Sequence, residues 1–105
     1  MRRTQFYSLC CLGCLVAAPA IAYDPGKDFA TCTEGKGGNK AIVKACTNLI
    51  DNAASENELV GYFYAMRAAA NDDKPSNCRD ARKVLDLTAN PAFVKGANAI
   101  IETNC

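Results

Sequence analysis

The chain reads as a single all-α domain stapled by disulfides, and three observations lead there. Apolar residues recur at helical spacing in each long segment, turn residues with capping chemistry separate those segments, and no segment alternates as an exposed strand would. A chain of 105 residues, 50% hydrophobic, allows one domain and leaves little room for a second. The expected architecture is a small array of helical hairpins with about five helices.

The N-terminal stretch stands apart from that array. Arg2 and Arg3 precede an uncharged apolar run from Leu9 to Ala22 that closes on Ala20-Ile21-Ala22, a small-x-small cleavage pattern. Residues 1–22 are therefore expected to be a secretory signal peptide, and residues 23–105 the folded domain, periplasmic or secreted. The apolar run is shorter than the roughly 20 residues a membrane span needs, and it contains Pro19. Cys10, Cys11 and Cys14 would leave with the leader. A lipid anchor on Cys14 is the competing outcome, because Cys11-Leu12-Gly13-Cys14 resembles a degraded bacterial lipobox with cysteine where leucine is usual.

The elements of the domain follow in order. Asp24 is placed to cap, and Pro25 to open, a short first helix that ends at Gly35. After the turn "GKGGNK", Asn39 is expected to cap a second helix in which Ile42, Ala45, Cys46, Leu49 and Ile50 form one apolar face. Ser55 and Glu58 have capping-box spacing before "LVGYFYAMRAAA", the third helix. "NDDKPSN" reads as a loop, and "CRDARKVLDLT" as a fourth helix with Cys78, Ala81 and Leu85 on one face and Val84 alongside. Asn90 can cap and Pro91 open the last helix, with Phe93, Ala97, Ile100 and Ile101 as its stripe.

Four cysteines remain after leader removal, Cys32, Cys46, Cys78 and Cys105, an even number in a small exported chain. Three pairings are possible. Antiparallel helices joined by short turns favour Cys32 with Cys46 across the first hairpin, and Cys78 with Cys105 across the last.

Charge and composition exclude several classes of function. The formal charge of +1 becomes −1 once Arg2 and Arg3 are removed, since they are the only charged residues in the leader. Arg79, Arg82 and Lys83 form the densest basic group, but Asp80 and Asp86 interrupt it, so neither a nucleic-acid surface nor a polybasic membrane patch is expected. Histidine is absent, which removes the commonest general base, the usual Ser-His and Cys-His pairs and the commonest zinc ligand. No close pair of cysteines suggests a metal site. Asp72 and Asp73 read as a turn, and "EGKGGNK" lacks the strand and the Lys-Ser/Thr ending of a phosphate loop. No catalytic residue, metal or cofactor is expected.

Val60-Gly61-x-x-Tyr64 resembles the Leu-Gly-x-x-Tyr core of helix A in a tetratricopeptide repeat, and "CRDARKVLDLTANP" is similar to a helix B that ends before proline. "AIVKACTNLIDN" resembles the helix B of a preceding repeat, as in exported bacterial proteins that write it "AI-x-x-CT-x-x-I". The similarity spans most of residues 39–91. It implies that Ser55, Glu58, Tyr62, Ala65 and Met66 lie on the concave, partner-binding face. Against this stands burial of the same helix, since Leu59, Tyr62, Phe63 and Met66 make one stripe and Val60, Gly61 and Tyr64 another. Residues 62 to 64 fan over about 200° of a helix, so one of Tyr62 and Tyr64 is expected at a rim where it can meet a partner. The function that follows is protein–protein interaction outside the cytoplasm, as an adaptor, an inhibitor or immunity protein, or a delivered effector. The alternative is a bundle that holds a lipid or other small apolar ligand.

Overall fold

The computed structural model describes residues 23–105. The expected signal peptide with its cut after Ala22, the three cysteines assigned to it and the lipid-anchor alternative lie outside the described residues. Within them the chain is all-helical: α1 (Pro25–Glu34), α2 (Asn39–Asp51), α3 (Glu58–Ala70), α4 (Lys74–Leu87) and α5 (Pro91–Asn104). Each helix packs on the next, and α3 also touches α1 and α5, so that it meets all four others. The odd-numbered helices thus form one layer, with α2 and α4 laid against it.

Helix ends follow local chemistry, in places one residue or more from where the sequence suggested. Asp24 accepts the Lys27 N–H at 3.1 Å with Pro25 in the first turn, and Gly35 closes α1 in the left-handed region at φ 72°. Asn39 is the first residue of α2 rather than its cap; Gly38 holds the cap position at φ 90°, without a side-chain hydrogen bond. The expected capping box at Ser55 and Glu58 is not formed. Asn57, as good a cap as serine, accepts the Val60 N–H at 3.1 Å and starts α3 two residues later than the box would. Glu58 instead accepts a 2.8 Å hydrogen bond from the Thr88 hydroxyl.

The second half of the segment expected as a loop before Cys78, Lys74 to Asn77, already belongs to α4. Asp73 caps it by accepting the Ser76 N–H at 3.0 Å, and Pro75 stands in the first turn. Hydrogen bonding from Ser76 holds the Asp73 carboxyl below the usual carboxylate range. That cap therefore contributes above the ordinary carboxylate pKa and is lost as pH falls through the lower folded value. Asn90 and Pro91 open α5 as expected, with Asn90 accepting the Ala92 N–H at 3.0 Å.

Two disulfides join the favoured partners, Cys32 with Cys46 at a Cα separation of 5.0 Å and Cys78 with Cys105 at 5.2 Å. On the chain-entropy model, sequence separations of 14 and 27 residues correspond to roughly 3 and 3.5 kcal/mol respectively. The first bridge sits inside the main core with Ile42, Ala45, Leu49, Val60 and Phe63. A second, smaller cluster of Ala81, Val84 and Ala97 joins α4 to α5, with Phe93, Ile100 and Ile101 packed against it.

The inner face of α4 is partly polar, which corrects the stripe expected from the sequence. Leu85 is exposed, whereas Asn77 and Asp80 are buried beside Ala81 and Val84. Asp80 is turned inward by Arg67 of α3, whose Nε and Nη2 each donate to it at 2.8 Å, while Nη1 donates to Thr47 of α2 at 3.0 Å. One guanidinium therefore binds three helices. Its hydrogen bonds to Asp80 raise the Arg67 pKa further, against the opposing cost of burial. Asn77 donates to the Asn71 carbonyl at 2.7 Å and to Asn104 at 3.3 Å.

Breaking the ion pair from one side strands the other charge in the interface. Asp80→Ala should cost about 3 kcal/mol or more in urea denaturation, and Arg67→Met combined with Asp80→Leu should recover most of it. The glycines supply a second, opposed pair of outcomes. A Cβ on Gly61 would lie 3.1 Å from the Cβ of Leu87, whereas one on Gly96 meets nothing within 4 Å. Gly61→Ala should therefore destabilise by about 1 kcal/mol or more, and Gly96→Ala should stabilise by about 0.5 to 1 kcal/mol, both read from thermal melts.

Candidate functional site

The site begins with where α3 starts. Asn57 turns the chain into helix so that Val60 and Phe63 point into the main core, and Leu59, one residue off that stripe, points outward. Across from it α1 presents Phe29, one turn before the buried Cys32, with its ring edge-on to Phe63 at 6.0 Å. Phe29 is 43% exposed and Leu59 50%, two of the largest apolar side chains in the domain left half in water. They flank a groove of about 490 Å³ between α1 and the α2–α3 turn, floored by Leu49, Val60 and Phe63. Tyr23 and Ser55 stand at its edge. No Asp, Glu, Lys or Arg lines it. Such a groove can desolvate apolar side chains.

Of the six residues expected at a partner face, Ser55 alone lines this groove. Glu58 lies at the start of α3 and faces Thr88. Tyr62 is half-buried between two helices: its hydroxyl donates to the Thr33 carbonyl of α1 at 3.3 Å, and its ring lies 5.0 Å from that of Phe93 on α5. Tyr64 packs against both core clusters, with the Arg67 guanidinium 5.4 Å from its ring centre. Ala65 packs on the second cluster and Met66 on the first. Phe63 enters the core and both tyrosines stay partly in water, as the angular fan of three consecutive rings requires.

Phe29, Leu59, Arg67 and Asp80 were not singled out by pattern. Leu59 belonged to an apolar stripe, and the packing of Val60 and Phe63 into the main core turns it outward. Arg67 in an alanine-rich helix was the one legible hint, since a charge there needs a buried partner. Among the described residues no three metal-ligating side chains come together. None of the described helices is long and apolar enough to cross a membrane. A second cavity, about 120 Å³ and almost wholly apolar, lies between α3, α4 and α5 under Ala68, Val84, Phe93 and Ile100. Its volume is close to that of engineered cavities that admit one small ring, which is too small for an acyl chain.

Comparison with known proteins finds no family model that matches the chain, no similar curated protein and no solved structure that matches its fold.

Proposed function

We propose that the protein is exported and acts by binding another protein, without catalysis, through the groove between α1 and the α2–α3 turn. One observation carries this: Phe29 and Leu59 stand half-exposed on either side of a groove that holds no charge. Half-exposed apolar side chains set around one uncharged groove offer a contact that a partner's apolar residues can fill. The two disulfides fit an oxidising compartment, as does the leader pattern of residues 1–22. Layering of α1, α3 and α5 against α2 and α4 suits a tetratricopeptide-like helical array, in which an adaptor, an inhibitor or a delivered effector are all workable roles.

A photo-reactive residue at position 59, introduced into the exported protein in the cells that make it, should give an adduct of discrete mass. The same residue at position 95 on the outer face of α5 should give none. Leu59→Asp should abolish capture of that partner while changing stability by no more than about 0.5 kcal/mol, since the side chain is exposed and an acid suits the first turn of a helix. Equal adducts at both positions, or none at either, would remove the groove from consideration. The small-ligand alternative would use the same groove or the smaller cavity under Phe93. Native mass spectrometry of the oxidised domain should show no added small-molecule mass if protein binding is correct.

A further inference from the structure

The two disulfides differ in what surrounds them. Cys32 and Cys46 are both 0% exposed and lie within the main core, whereas Cys105 is exposed at the end of α5 and Cys78 is half-buried. A thiolate must reach a sulfur in line with the bond it breaks, so access ranks the outer bridge well ahead of the inner one. What the outer bridge holds is equally particular. Only Ala97 of α5 is fully buried; it meets Ala81 and Val84 of α4, and Phe93, Ile100 and Ile101 pack there only partly buried. Its single side-chain hydrogen bond to another helix is the 3.3 Å contact between Asn77 and Asn104, next to the bridge itself. By contrast α4 is tied to α3 by Arg67–Asp80 and by Thr88–Glu58.

Beneath α5 lie residues of α3 that could meet a partner if uncovered. Phe93 covers the ring of Tyr62, and Tyr64 and Ala65 pack on the cluster that α5 closes. We propose that α5 is a strap over the aromatic face of α3, latched by Cys78–Cys105 and released when a dithiol reductant opens that bridge. One thiolate of the reductant attacks a bridge sulfur, the S–S bond breaks and a mixed disulfide forms. The second thiolate then displaces the protein sulfur, and the reductant closes into its own disulfide. The protein gains two electrons and two protons as the Cys78 and Cys105 thiols. Cys32–Cys46 stays closed and keeps α1 to α4 folded, so the released state exposes Tyr62, Tyr64 and Ala65 on a standing scaffold.

The test is graded reduction of the oxidised protein with dithiothreitol, followed by alkylation, mass spectrometry and hydrogen exchange. Cys78 and Cys105 should be alkylated while Cys32 and Cys46 remain bonded, and in that intermediate the α5 amides should exchange about tenfold faster or more while those of α2 and α3 keep their protection. The double variant Cys78→Ser with Cys105→Ser should show the same α5 exchange without reductant and retain the far-ultraviolet helical signal of α1 to α4. Opening of both bridges together, opening of Cys32–Cys46 first, undiminished α5 protection after the outer bridge opens, or global unfolding of the double variant would each overturn the strap.

Discussion

The Cys32–Cys46 bridge takes the place of a large apolar side chain at the centre of the domain. Together with Val84, its two half-cystines are the largest side chains wholly removed from water, and half of the other buried apolar residues are alanine. A chain this short cannot bury enough apolar surface to offset its conformational entropy comfortably, and small residues worsen the deficit. The bridge answers both shortages, since it fills core volume and restricts the unfolded chain. It also places α1 against α2, and only with that hairpin in position does Phe63 find the pocket that orients α3.

From α3 outward, polar chemistry takes over part of the work that burial does elsewhere. Arg67 reaches Asp80 and Thr47 together, so the angle and register of three helices depend on one planar group with fixed donor directions. Apolar contacts alone would allow α4 to rotate so that Leu85 turned inward. The ion pair instead selects the face that carries Asn77, Asp80, Ala81 and Val84. The second cluster, left with three fully buried residues, is correspondingly thin. Stability is thus graded along the chain, from a cystine-filled centre to a terminal helix held by an exposed bridge.

This gradient separates two surfaces of different character. The groove flanked by Phe29 and Leu59 belongs to the well-packed end, where the inner bridge ties α1 to α2 and Phe63 of α3 packs beside it. A preformed apolar groove on a rigid scaffold loses little entropy on engaging a partner. The aromatic face under α5 belongs to the other end, where covering and uncovering are separated by one covalent bond.

Much of the fold was legible before any coordinates. Helical periodicity of apolar residues, the Asp24-Pro25 and Asn90-Pro91 starts and the Gly35 stop are local signals, and local signals survive folding because capping depends on neighbours within a turn. The disulfide pairing followed from hairpin geometry, since short turns bring consecutive helix ends together. Where two residues could serve as the cap, as Ser55 and Asn57 could, sequence spacing chose the wrong one, because either side chain can satisfy the open donors of its own first turn. What only the tertiary structure decided was which polar residues go inside and which apolar ones stay outside. Asp80 turns inward because Arg67 of another helix meets it there, and Leu59 faces water because Val60 and Phe63 beside it pack into the core that α1 and α2 supply. Contacts between distant helices make both outcomes, and no window of consecutive residues contains them.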